Sequence, residues 1–186
     1  MRIIGGAHRG RSLSAPKGAA TRPTSDMVRE ALFSSLFDVE GWRVLDLFAG
    51  TGAVGLEALS RGAAHVTFVE KARPALHALQ GNLEDLRIPD ADHTVLRIPV
   101  ARALTALPDS AGRFDLIFAD PPYDQVPRLV EPVFAAAAAL LAEEGLLICE
   151  HRSSDPAPPA GPSLEHTKSK RYGEATLSFY AAQGSS

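Results

Sequence analysis

The 186-residue chain contains one cysteine, one tryptophan and two methionines, and aromatic residues make up only 6% of it. A single thiol, Cys149, excludes an internal disulfide. Its place in the apolar run at 145–149 suits a buried structural thiol rather than a nucleophile. No charge-free apolar stretch approaches the ~20 residues that a bilayer demands. The longest candidate, residues 133–141, owes its length to five consecutive alanines. The six histidines are scattered without His-x-x-x-His or Cys-His spacing, so no metal is expected. No secretory hydrophobic segment is visible behind Met1, because Arg2, Gly5 and Gly6 follow almost at once. These absences point to a cytoplasmic, metal-free chain, expected to be a monomer.

Charge is scarce in total but unevenly placed. The net charge is −3, yet residues 1–30 carry six basic residues (Arg2, Arg9, Arg11, Lys17, Arg22 and Arg29) against Asp26 and Glu30. The first thirty residues are therefore +4 and the remainder −7. A basic arm on an acidic body can contact phosphates without binding every polyanion, and Arg2, Arg9 and Arg11 are its candidate RNA contacts. A smaller basic cluster, Lys168-Ser169-Lys170-Arg171, stands beside Tyr172.

With 45% hydrophobic residues the chain can bury a sizeable core. One domain over 1–186 is expected, with a basic extension at 1–24 and a Rossmann-like core at 25–186. The extension should form a small hairpin around Gly10, and Ser25 should cap a helix reaching about Phe37. Strands are expected near 43–48, 65–70, 94–98, 114–119 and 145–150, with helices near 53–61, 72–86, 101–107 and 126–142 between them. The Pro-rich stretch 155–162 reads as a loop, and 168–180 as a closing antiparallel hairpin turning at Gly173. Such β/α alternation predicts a doubly wound α/β sheet with ligands at the carboxyl ends of its strands.

Three acidic residues fall at such ends. Asp120 follows the apolar run 114–119 and opens Asp120-Pro121-Pro122-Tyr123. Its carboxylate can accept one N–H of a planar amine. The prolines lock φ and have no N–H of their own, so a backbone carbonyl can face outward as a second acceptor, and Tyr123 offers a face for a stacked base. Asp46 ends the strand 43–48 ahead of Phe48-Ala49-Gly50-Thr51-Gly52, where glycines admit a ligand close to the backbone and to the start of the next helix. Glu70 ends the following strand, where an acidic side chain can bind both hydroxyls of a ribose. Gly50, Gly52 and Gly55 also satisfy the dinucleotide pattern G-x-G-x-x-G, so a nicotinamide-binding protein stays open as an alternative. Asp46 weighs against it, since a carboxylate there would crowd a pyrophosphate but could serve a cationic ligand.

The Asp-x-Phe-x-Gly-x-Gly stretch, the acidic strand end and Asp-Pro-Pro-Tyr resemble motifs I, II and IV of class I S-adenosylmethionine-dependent methyltransferases that act on base amines. Together with Arg2-Ile3-Ile4-Gly5-Gly6, Arg9-Gly10-Arg11, the run 21–33 opening Thr21-Arg22-Pro23-Thr24, and the run 55–63, they make the chain resemble the bacterial 16S rRNA guanine-N2 methyltransferase family called RsmD. The resemblance covers nearly the whole length. It implies a seven-stranded class I methyltransferase sheet, mostly parallel with an antiparallel closing hairpin, S-adenosyl-L-methionine as cofactor, and 16S rRNA in an assembled small-subunit particle as partner. It also implies Asp120, Pro121, Pro122 and Tyr123 as the catalytic turn. Asp46, Phe48, Gly50, Gly52, Glu70 and Ala101 would line the cofactor site, with Arg22 and Thr24 as wall residues. Val100 departs from the family, where a small, amide or acidic residue often stands, and valine cannot bond an adenine amine through its side chain. A DNA adenine-N6 methyltransferase remains the alternative, because Asp-Pro-Pro-Tyr serves either amine.

Overall fold

The computed structural model describes residues 1–16, 26–107, 113–122 and 126–183, with the backbone alone for 126–130. Seven strands form one sheet in the order β3-β2-β1-β4-β5-β7-β6: β1 (Arg43–Leu47), β2 (His65–Val69), β3 (His93–Leu96), β4 (Phe114–Ala119), β5 (Leu141–Arg152), β6 (Leu164–Tyr172) and β7 (Ala175–Ala182). Neighbours among β1 to β5 run parallel, and β7 lies antiparallel between β5 and β6. The helices are α1 (Asp26–Leu36), α2 (Ala53–Ser60), α3 (Arg73–Leu86), α4 (Val100–Ala106) and α5 (Val126–Ala138).

Period-2 alternation divides the core. Val44, Leu116, Phe118 and Ile148 pack with residues of α1, α2 and α3 on one face. Leu45, Leu47, Ile117, Leu147 and Cys149 pack with residues of α4 and α5 on the other. Because both faces are covered, β1 and β4 are apolar almost throughout, which is why they read as continuous runs rather than alternating ones. The chain winds outward from β1 to β3 and then returns to β4 on the far side of β1. That reversal opens a crevice at the carboxyl ends of β1 and β4.

Every expected strand is present within a few residues. The helix expected to reach 142 instead stops at Ala138, and β5 begins at Leu141, paired with Phe114. The alanine run favours helix, but sheet pairing claims its end. A register shift between Phe114 and Leu116 follows, and a Cβ at Gly145 would lie 2.7 Å from the Phe114 carbonyl oxygen, so only glycine fits the irregularity. The amino-terminal hairpin is present as the antiparallel bridge Arg2↔Ser12, with its chain reversal between Gly5 and Gly10. Ser25, expected as a helix cap, lies outside the described residues.

Candidate functional site at the carboxyl edge of the sheet

Strand register brings the three acidic strand ends together. Leu47 pairs with Val69 on one side and with Ala119 on the other, so Phe48, Glu70 and Asp120 begin three adjacent loops at one edge. Phe48 holds a positive φ of 62°, unusual without glycine, and Gly50 and Gly52 follow at 56° and 82°. Three successive left-handed positions at 48, 50 and 52 turn the chain sharply before α2. The position of a Cβ on Gly50 meets nothing closer than 4.0 Å, leaving open space on the outer side of the loop. Gly55 serves differently: a Cβ there would stand 2.3 Å from the Phe68 ring, so this glycine lets α2 lie directly on β2.

Glu70 is bonded three times to backbone. One carboxylate oxygen accepts the Gly50 N–H at 2.9 Å, and the other accepts those of Lys71 and Ala72 at 2.7 Å each. It therefore shapes the glycine loop and holds the chain leading into α3, while its half-buried position keeps it at the open edge of the sheet.

Asp46 sits deeper than the sequence reading placed it. It is 2% exposed and accepts the Gly55 N–H at 3.0 Å, satisfying one of the orphan donors in the first turn of α2. Burial pushes its pKa from 3.8 up to about 7; the Gly55 hydrogen bond opposes this and the Glu70 charge adds to it. Between about pH 4 and 7 the folded protein thus keeps a proton that the unfolded chain has released. Stability from this group is fully present below the unfolded value and is lost as pH rises through about 7. Asp46→Asn is expected to remove a slope of at most about 1.4 kcal/mol per pH unit over that window. Urea unfolding at pH 5, 6, 7 and 8 checks this; parallel curves for the two proteins would refute it.

Asp120 is half-buried, Pro121 buried and Pro122 exposed, in the segment that leaves the end of β4 alongside β5. Tyr123 lies outside the described residues, as do Arg22, Pro23 and Thr24. Ala101 is exposed in the first turn of α4, whereas Val100 is buried in the core on that face, a packing role in keeping with its apolar side chain. One strand beyond Asp120, a cavity of about 240 Å³ is lined by Met27, Val28, Glu150 and the β6–β7 turn from Tyr172 to Ala175. Cys149 is fully buried and its thiol is pushed up by burial and by the charges of Asp120 and Glu150, so it is a core residue. Among the described residues no group of three His, Cys, Asp or Glu could hold a metal ion, and no helix is long and apolar enough to cross a membrane.

The basic arm is fastened rather than loose. The Arg29 side chain, fully buried, donates to the Arg2 carbonyl and to Asp26; it was counted with the basic arm from sequence but cannot reach phosphate. Glu57, equally buried, accepts the Ile4 and Gly5 N–H groups and pairs with Arg61 at 2.8 Å. The Ser60 hydroxyl donates to the Gly5 carbonyl and accepts the His8 N–H. Arg2, Arg9 and Arg11 remain exposed, although Arg11 also donates to the Asp85 carbonyl at 2.6 Å. Sequence reasoning had no role for Glu57 or Ser60. The one signal was an acidic residue in the otherwise apolar run 53–59 of α2.

Comparisons with known proteins place the chain among relatives. The family model described as Conserved hypothetical protein 95 matches residues 1–181. Ribosomal RNA small subunit methyltransferase D of Escherichia coli (strain K12) is 38% identical over 173 residues, covering 90% of this chain and 84% of its own. YlbH of Bacillus subtilis is 36% identical over 187 residues, 99% of this chain and 100% of its own. The solved structure of yhhF from Escherichia coli superposes with a TM-score of 0.83 at 34% identity, covering 98% and 99% of the two chains.

Proposed function

This chain belongs to the RsmD family of rRNA methyltransferases, and from that premise we propose that it transfers the methyl group of S-adenosylmethionine to the exocyclic N2 amine of a guanine in 16S rRNA. The observation that carries the reading is the shared edge of β1, β2 and β4, where Phe48 and the glycine loop, Glu70, and the Asp120-Pro121-Pro122 turn stand side by side. Glu70 would take the ribose hydroxyls, the open side of Gly50 the methionine portion, and Asp46, once ionised, would approach the methionine ammonium through water. Arg22 and Thr24 are proposed as further wall residues, with Arg22 suited to the methionine carboxylate.

A guanine amine is a poor nucleophile because its lone pair is delocalised into the ring. Asp120 and a carbonyl at Pro121 or Pro122 would accept its two N–H groups and turn the lone pair toward the sulfonium methyl. Positive charge moves from sulfur to nitrogen as the methyl passes, and a carboxylate fixed beside the nitrogen stabilises it there. Holding nitrogen and methyl about 3 Å apart supplies much of the remaining acceleration. Tyr123 would stack on the base from its side of the turn.

The arm is proposed to contact phosphates flanking the target. Its turn is seated at Ser60, the far end of the eight-residue α2, about 12 Å from the glycine loop at 1.5 Å per residue. Arg9→Ala with Arg11→Ala is expected to weaken RNA binding and make its affinity less steep in salt, each lost phosphate contact removing about 0.7–0.9 from the log–log slope. An unchanged slope contradicts the arm's role.

Labelled methyl transfer tests the substrate class. Undermodified small-subunit particles should accept label, more readily than free 16S rRNA, and duplex DNA should not. A base in a duplex hides its amine, and a folded particle can present an unstacked one. Label entering DNA but not particles would overturn the reading in favour of a DNA methyltransferase.

A further inference from the structure

Two segments with separate duties meet on one buried side chain. Asn82, on α3 and 1% exposed, accepts the Ser14 N–H at 2.7 Å through Oδ1. Its Nδ2 donates to the Ser14 carbonyl at 3.2 Å and to the Thr51 carbonyl at 3.0 Å. Ser14 closes the basic hairpin, two residues past the Arg2↔Ser12 bridge. Thr51 stands between Gly50 and Gly52 in the cofactor loop. The same helix also receives the arm at Asp85, whose carbonyl accepts from Arg11.

Among the described residues, three side chains tie the glycine loop and the start of α2: Glu70 to the Gly50 N–H, Asp46 to the Gly55 N–H, and Asn82 to the Thr51 carbonyl. Asp46 and Glu70 tie it to the strands beneath. Asn82 alone of the three is bonded to the arm as well. A buried amide is costly unless its polar atoms are satisfied, and here both of its partners are backbone groups of those two segments. Packing of α3 on the sheet needs only an apolar residue at 82; the amide is needed for the arm and the loop.

We propose that Asn82 is a positioning residue that couples the arm to the cofactor loop, so that RNA held by the arm and cofactor held by the loop tighten each other's binding. The proposal rests on the methyltransferase reading above. With the arm docked, Ser14 fixes the orientation of the Asn82 amide, and that amide fixes the Thr51 carbonyl. With the arm released, the amide loses two of its three bonds and its hold on the loop loosens. A ligand that favours the docked arm thereby favours the ordered loop. Linkage makes the effect reciprocal, with the same factor in both directions.

Calorimetry of S-adenosylhomocysteine binding to the full chain, with and without saturating 16S rRNA, measures this factor. The wild type should bind the cofactor product about fivefold more tightly with RNA present, the lower end of measured couplings. Ser14→Pro deletes the N–H given to Asn82 while leaving every proposed cofactor and base contact in place. Asn82→Asp keeps the acceptor for Ser14 but removes both donors. In Asn82→Asp, which cuts the tie to the loop, the factor should fall to about one; in Ser14→Pro, which keeps the residue-14 carbonyl as an acceptor, it should fall between one and the wild-type value. A merely structural role would lower the unfolding temperature and leave the factor intact, and that result overturns the proposal, as does a wild type whose cofactor affinity ignores RNA. Failure of the wild type to bind S-adenosylhomocysteine at all would instead overturn the methyltransferase reading on which the proposal stands.

Discussion

Asp120→Ala is expected to lower kcat by about 100-fold or more, the size of effect seen when a preplaced group facing developing charge is removed. Cofactor affinity should hardly change, because Asp120 stands at the end of β4, across β1 from Glu70. Asp120→Asn separates two contributions of the side chain. The amide still accepts one N–H from the base amine but brings no charge, so its rate should fall between those of the wild type and the alanine variant. Single-turnover kinetics with saturating cofactor, beside calorimetry of cofactor binding, make the comparison. Loss of cofactor affinity with turnover intact would place Asp120 in the wrong half of the site.

Glu70→Ala should have the opposite signature. Two ribose hydroxyls lose a charged acceptor, a change worth roughly 1.5–3 kcal/mol and so about 10- to 150-fold in cofactor affinity. The structure adds a second reason for a large effect. The same carboxylate holds the Gly50 N–H, so the loop that would meet the cofactor is released at its first glycine. The N–H groups of Lys71 and Ala72 also lose their acceptor, and some stability should go with them. With cofactor at saturation, kcat should stay near the wild-type value. Retained affinity in Glu70→Ala would contradict the assignment.

These two residues show what is legible in a sequence. Glu70 and Asp120 stand out because each ends a short apolar run that only a buried parallel strand explains, and parallel strands carry ligands at their carboxyl ends. The same logic located all five parallel strands, and the turn signal at Gly173 located the antiparallel closing hairpin. Asp46 was legible as a strand-end carboxylate, but not its depth: the side chain turns inward beneath α2, where Gly55 needs an acceptor and burial raises its pKa. Helix α5 was read too long because alanine favours helix whatever follows, and only pairing with Phe114 turns residue 141 into strand.

Glu57, Ser60 and Asn82 were illegible for a different reason. Each is bonded to backbone groups fifty or more residues away at the arm, and a backbone N–H or carbonyl has no residue type to recognise. Arg29 was miscounted on the same ground. Its charge is visible in the sequence, but its partners include the carbonyl of Arg2. Local pattern therefore recovers the sheet and the outline of its carboxyl edge, whereas the fastening of the arm to that edge depends on the folded chain.

The central claim is the identity of the amine that receives the methyl group. Undermodified small-subunit particles and duplex DNA, each incubated with the purified protein and labelled S-adenosylmethionine, can be digested and their nucleosides resolved by mass spectrometry. N2-methylguanosine from the particles, with no methylated base from the DNA, is the predicted result. N6-methyladenine from DNA, with no N2-methylguanosine from the particles, would contradict it.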